Sequence, residues 1–328
     1  MRDIPVIDVS PLVRNEPEKL EVARKLGEAL RTHGFFYVSH TGIDLTLIKE
    51  LEASSREFFS RPLEEKMVLE MKKGGKAWRG YFPVGGELTS GKPDVKEGLY
   101  FGAELDPITN KGLWDLPLHG ANLFPEKPLE LKALVLNYMN QVMHLGHHLM
   151  RGLSLSLGLS ETYFEEHYTK DPFILFRIFN YPLQNQESLM REEWGVGEHT
   201  DYGLLTILYQ DASGGLEVYS GGEWLPAPPR EGTFICNIGD MLEKATGGLY
   251  KSTPHRVRNV VARSRLSFPF FFDPNFFAHI KPIQGRLVEA QNPRWDKQDP
   301  HLFSGTYGNY LEFKISKVFP ELFKSEIR

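Results

Sequence analysis

The chain has 328 residues, 41% hydrophobic and 25% charged, which is enough apolar material for a large core and a smaller second lobe. Its formal net charge of -5 argues against nucleic acid as a partner, and its single cysteine, Cys236, excludes an intramolecular disulfide. The start, Met1-Arg2-Asp3-Ile4-Pro5, resembles neither a signal nor a transit peptide, and no apolar run is long enough to span a membrane, so we expect a cytoplasmic monomer that handles a small molecule.

Taken in order, Ile4 to Val9 reads as a short extended segment, followed by Pro11 and a polar turn through Asn15 and Pro17. Glu18 to Thr32 places Leu20, Ala23, Leu26, Ala29 and Leu30 at helical spacing, and His33-Gly34 stops the helix. Phe35 to Ser39 predicts a strand, Leu45 to Phe59 a second helix, and Arg61-Pro62 opens a short one that reaches Met71. Between Lys72 and Pro125 periodicity fades while glycine and proline accumulate, which predicts a long irregular binding loop or lid. Leu129 to Leu157 predicts a long amphipathic helix ending at Gly158. Its His144, His147 and His148 share helical spacing, but no Glu stands where a zincin helix needs one, so they are assigned to surface or packing.

From Phe173 the pattern turns to strands: Phe173 to Tyr181, Leu204 to Tyr209, Leu216 to Tyr219 with a turn at Gly221-Gly222, Thr233 to Ile238, His255 to Val260 and Leu266 to Asp273. Short strands at this spacing, separated by glycine and proline, predict a sandwich or jelly roll rather than a parallel sheet. After Pro274 the chain is irregular, and Tyr310 to Phe323 is expected to return as a helix.

The chemistry concentrates between His199 and Ser267. In His199-Thr200-Asp201, residues two apart on a strand would share a face and offer an imidazole and a carboxylate to one metal ion, with His255 as a third ligand. Two histidines and a carboxylate on one side of an ion leave its other positions open, as in non-haem Fe(II) oxygenases. His199, Asp201 and His255 are therefore the candidate catalytic and metal residues.

Together with Arg265-Leu266-Ser267, these residues resemble in order and spacing the 2-oxoglutarate and Fe(II)-dependent dioxygenases of the isopenicillin N synthase-like superfamily. Ile4-Pro5-Val6-Ile7-Asp8 and His33-Gly34-Phe35-Phe36-Tyr37-Val38 are similar to the start of the same proteins, so the resemblance covers nearly the whole chain. It implies a mostly β core, a double-stranded β-helix (jelly roll, cupin-like), with flanking helices and a helical N-terminal region. The expected divisions are 1–125 as N-terminal helices and binding loop, 126–172 as a helical scaffold, 173–280 as the jelly-roll core, and 281–328 as a C-terminal segment packing on it. The implied cofactors are Fe(II), 2-oxoglutarate as cosubstrate and O2. The implied reaction is oxidation of a substrate C–H bond, hydroxylation being its commonest outcome, with release of succinate and CO2.

Within that frame Arg265 is suited to the far carboxylate of 2-oxoglutarate, because a planar guanidinium binds a carboxylate by two parallel hydrogen bonds; Ser267 adds a third. Tyr181 resembles the family tyrosine that contacts the cosubstrate, although Phe179 stands where many members have asparagine. Phe268, Phe270 and Phe272 fall on the opposite strand face and are expected in the core. The stretch from Arg79 to Gly98 resembles a branch containing bacterial ethylene-forming enzymes and plant amino-acid hydroxylases. By that resemblance Glu87, Thr89, Arg177 and Tyr202 are substrate residues, Arg177 for a carboxylate and Glu87 for a cationic end, while Lys317 stands where that branch can carry arginine. A neutral hydrophobic metabolite, an oxidase that uses no 2-oxoglutarate, and an inactive ligand-binding homologue are the alternative readings.

Overall fold

The computed structural model describes residues 3–183, 194–258, 263–283, 296 and 298–319. Fourteen strands are formed among them: β1 (Val6–Asp8), β2 (Phe35–Ser39), β3 (Gly80–Phe82), β4 (Leu88–Thr89), β5 (Lys92–Pro93), β6 (Glu97–Gly102), β7 (Phe173–Tyr181), β8 (Trp194–His199), β9 (Leu205–Gln210), β10 (Leu216–Ser220), β11 (Glu223–Pro226), β12 (Thr233–Ile238), β13 (His255–Arg258) and β14 (Arg265–Asp273). The larger sheet runs β1-β2-β12-β9-β14-β7-β6-β3, the smaller β11-β10-β13-β8, and β4 and β5 make a separate ribbon. All pairings are antiparallel except β1 with β2. The two sheets form a jelly-roll core with the helices packed outside it.

The helices form where the apolar spacing places them. In Lys19–Thr32 the buried stripe is Val22, Ala23, Leu26, Ala29 and Leu30, whereas Leu20 points to solvent. Leu20 lies off that stripe, so it is not a core position as expected. Asp44 caps Leu45–Phe59 by accepting from the Thr46 amide at 2.8 Å. Helix Leu131–Ser156 lies against the outer face of the larger sheet: Tyr138 packs on Phe176 and Phe268, His147 on Phe272, and Gly146 admits the Phe272 ring where a Cβ would sit 2.5 Å away. Phe268, Phe270 and Phe272 are fully buried on this face, which sends Arg265, Ser267 and Phe271 to the inner one.

Three expectations change. The stretch from Lys72 to Pro125 is not simply irregular. It contains β6, buried along its whole length and hydrogen-bonded between β3 and β7, so that part of the expected loop is sheet interior. Its glycines hide the period of two: Gly98 stands where a Cβ would strike Phe82 and Phe179, and Gly102 where it would strike the Arg79 guanidinium. Two strands, β8 and β11, and a short helix, Asp240–Ala245, are also present beyond the expected elements. The C-terminal helix spans Tyr307–Val318; positions 320–323 of the expected helix, and 259–260 of the expected strand from His255, lie outside the described residues. No helix among the described residues is long and apolar enough to cross a membrane.

Candidate metal and cosubstrate site

β8 ends at His199, which pairs across the smaller sheet with His255 at the start of β13, so the two imidazoles lie with ring centroids 4.2 Å apart. Asp201 is not on the strand with His199. It lies in the turn beyond, where the Asp240 amide holds its carbonyl at 2.8 Å, and the turn swings its carboxylate toward both histidines. Oδ1 of Asp201 is 3.9 Å from Nε2 of His199 and 3.8 Å from Nε2 of His255. The three ligand atoms lie within 4.8 Å of one another. A divalent ion bonded at about 2.0–2.2 Å to each ligand would span the 3.8 and 3.9 Å separations between Asp201 and the two histidines.

Both imidazoles point Nε2 inward because Nδ1 is engaged by backbone carbonyls, His199 with Gly197 at 2.9 Å and His255 with Thr253 at 3.2 Å. Burial disfavours the imidazolium, so His255 is pushed down to about 4 and His199 also falls below its ordinary value. Burial alone would raise the Asp201 carboxyl, but the two histidines and hydrogen bonds from Thr206 and Asn237 bring it below the usual range. Neutral imidazoles and an ionised carboxylate are the states that bind metal. Asp273 supports the turn from below: its Oδ1 packs on Gly203 so closely that a Cβ there would lie 1.5 Å away, and Tyr307 donates to its Oδ2 at 2.5 Å.

A cavity of about 390 Å³ opens from this corner between the sheets. On its floor Arg265 stands opposite Tyr181 in the β14–β7 register, its guanidinium over the tyrosine ring at 4.6 Å. Only 1% of Arg265 is exposed. Nη2 donates to Gln210 at 3.3 Å, while Nε and Nη1 find no partner among the described residues. A buried guanidinium with free N–H groups is costly without an anion, and a ligand carboxylate fits the need. Ser267 lines the cavity beside it.

Further along the same floor, Arg177 is enclosed by Tyr100 (4.2 Å), Phe271 (4.6 Å) and Trp78 (4.7 Å). Its carboxylate contact, to Glu87, is stretched to 3.7 Å, and its Nε has no hydrogen-bond partner among the described residues. Glu87 accepts from Tyr100 at 2.5 Å and faces Lys96 Nζ at 2.8 Å, without hydrogen-bond alignment at Oε2. Burial would raise the Glu87 carboxyl, but Lys96 and Arg177 hold it below its ordinary value. Thr89, on β4, donates to Asp94 at 2.7 Å, and Asp94 also pairs with Lys96. Tyr202 borders the cavity beneath Lys314, which lies 5.3 Å from its ring on the C-terminal helix, and Lys317 lines the mouth.

Every candidate residue from the sequence therefore lines one cavity: His199, Asp201 and His255 at one corner, Arg265, Ser267 and Tyr181 on the floor, Arg177, Glu87, Thr89 and Tyr202 beyond. Sequence reasoning missed Lys96, Asp94, Gln210, Thr206 and Asn237. The available signal was a polar residue inside an apolar strand, as with Asn237 in Phe234-Ile235-Cys236-Asn237-Ile238.

Two family models match the chain: "non-haem dioxygenase in morphine synthesis N-terminal" over residues 4–127 and "2OG-Fe(II) oxygenase superfamily" over residues 170–274. Two Dictyostelium discoideum proteins are similar over nearly the full length. A probable iron/ascorbate oxidoreductase is 47% identical, with 98% of this chain and 96% of the relative covered; a 1-aminocyclopropane-1-carboxylate oxidase is 41% identical, with 97% and 95% covered. A homoarginine-6-hydroxylase of Glycine max is 36% identical, with 97% and 98% covered. Among solved structures, a full-length Neurospora crassa protein in complex with alpha-KG and thymine superposes with a TM-score of 0.80 at 28% identity, covering 95% of this chain and 96% of that one.

Proposed function

The chain belongs to the 2OG-Fe(II) oxygenase superfamily and is a non-haem Fe(II)- and 2-oxoglutarate-dependent oxygenase, and from that premise we propose that it hydroxylates a free amino acid with a basic side chain. The observation that carries the reading is the pair of guanidinium groups in one cavity, fully buried Arg265 and partly buried Arg177, each with unpartnered N–H among the described residues. Two such groups call for two carboxylates, one from the cosubstrate and one from the substrate.

In this reading His199, Asp201 and His255 hold Fe(II), which when bound supplies the oxidation of a C–H bond by O2 coupled to conversion of 2-oxoglutarate to succinate and CO2. Arg265 and Ser267 bind the far carboxylate of the cosubstrate, and Tyr181 stiffens Arg265 by lying under its guanidinium. Arg177, fixed by three rings, binds the substrate carboxylate, and Glu87, with Thr89 and Tyr202 nearby, receives the cationic end alongside Lys96. The basic amino acid in the name of the homoarginine-6-hydroxylases supports this choice. Succinate release stimulated by arginine, homoarginine or lysine is the expected result. Absence of stimulation by all three removes the substrate assignment and leaves the reaction class.

The alternative expected from the sequence, an oxidase in which no 2-oxoglutarate is used and Arg265 holds the substrate's own carboxylate, is disfavoured by membership of the 2OG-Fe(II) oxygenase superfamily. Oxygen consumption by the Fe(II)-loaded protein decides between the two readings: it requires 2-oxoglutarate in the first and not in the second. The cytoplasmic, monomeric state expected from the sequence belongs to the same proposal, and light scattering and cell fractionation test it.

A further inference from the structure

Asp201 has two carboxylate oxygens, and they have different surroundings. Oδ1 faces Nε2 of both histidines. Oδ2 accepts two hydrogen bonds from the opposite side, from Thr206 Oγ1 at 2.5 Å and from Asn237 Nδ2 at 2.6 Å. The two donors are direct cross-strand neighbours, Asn237 on β12 opposite Thr206 on β9, so the sheet itself holds them side by side. Both are buried, as is Asp201.

We propose that Thr206 and Asn237 are positioning residues that commit Asp201 Oδ2 to the protein and thereby restrict the carboxylate to one metal bond, through Oδ1. An ion held by His199, Asp201 and His255 through one atom each would keep positions for a 2-oxo acid and one further ligand. A carboxylate free to turn would supply both oxygens and close one of those positions. Two short, buried hydrogen bonds to a charged acceptor oppose that turn, because rotation would leave both donors unsatisfied. The Asp240 amide, which holds the Asp201 carbonyl, prevents the backbone from following.

This inference rests on the reading of His199, Asp201 and His255 as metal ligands, and the experiment separates the two. Co(II) affinity of the apoprotein is measured by competition with a chelating dye, and the visible absorption of the Co(II) form is recorded with and without 2-oxoglutarate. Thr206→Ser and Thr206→Ala lose the same methyl group and differ only in the hydroxyl. The Ser variant should bind Co(II) within about twofold of the parent, whereas Thr206→Ala and Asn237→Ala should each bind about tenfold more weakly. Their Co(II) spectra should differ from the parent's, and 2-oxoglutarate should perturb them less. Equal affinity and equal spectra for Thr206→Ala and Thr206→Ser overturn the positioning role even if Asp201→Ala abolishes binding. Parent-like Co(II) binding by Asp201→Ala overturns the ligand assignment itself.

Discussion

Lys96 and Glu97 are neighbours at the start of β6, yet they enter two different buried ionic clusters. Glu97 meets Lys66 at 2.7 Å, Tyr81 at 2.5 Å and Asn180 at 2.8 Å, and Lys66 also donates to the Phe59 carbonyl at 3.1 Å. Both oxygens of Glu97 are used, and no atom of Lys66 or Glu97 is left without a partner. Lys96, Glu87 and Arg177 line the cavity, Lys96 pairing with Asp94 behind them and with Glu87 Oε2 at 2.8 Å, and there Arg177 Nε remains without a hydrogen bond among the described residues. A buried polar atom costs free energy until it is paired. The closed cluster joins Lys66 to the sheet at Tyr81, Glu97 and Asn180, on the adjacent strands β3, β6 and β7. The open one lies on the cavity wall, with Arg265 further along the floor, and in the proposed function its unpaired N–H groups are where substrate and cosubstrate carboxylates would bind.

The largest effect expected belongs to the metal corner, which resembles the closed cluster except at the atoms facing the ion. Asp201→Ala should lower Fe(II)-dependent turnover by about a thousandfold or more, measured as 2-oxoglutarate consumption, because a metal contribution of several kcal/mol is lost. Parent-like turnover at limiting Fe(II) would break the assignment. Next, Glu97→Gln should cost about 3–5 kcal/mol in urea unfolding, since Lys66 is left as an uncompensated buried charge. Glu87→Gln should cost only about 1–2 kcal/mol, because Lys96 keeps Asp94, and should act mainly on substrate KM. If the two variants lose equal stability, the distinction between closed and open clusters fails.

Arg265→Lys sharpens the comparison on the cosubstrate side. A point charge cannot reproduce the guanidinium fork, so half-saturation by 2-oxoglutarate should rise by about tenfold while the unfolding midpoint moves little. An unchanged requirement would place the far carboxylate elsewhere. The smallest effect concerns pH. His199 and His255 have folded values below their unfolded ones, so the folded state binds fewer protons; the contribution is fully present above about pH 6.5 and is lost as the pH falls toward 4. His33, His119, His147 and His148 are lowered by burial too and add in the same direction. Mn(II) should shift the acid loss of thermal stability to lower pH, since protons and metal compete for Nε2. An identical acid profile with and without Mn(II) would show that the metal does not use these nitrogens.

The sequence by itself determined what is local or carried by motif. Helical spacing located Lys19–Thr32, Leu45–Phe59 and Leu131–Ser156, and short, nearly continuous apolar runs located Phe173–Tyr181 and Thr233–Ile238, because both signals lie within a single segment of the chain. The residue types at 199, 201, 255, 265 and 267 were enough to name the groups that converge on the cavity. Only the tertiary structure decided which oxygen of Asp201 stays free, which of two adjacent residues in Lys96-Glu97 meets the cavity, and that β6 is sheet interior rather than loop. Those outcomes depend on partners distant along the chain, Thr206 with Asn237 and Glu97 with Lys66 and Asn180, and on glycines whose role is to admit a neighbour's side chain. A contact set by register between strands has no period of its own, so it appears only when the strands are paired.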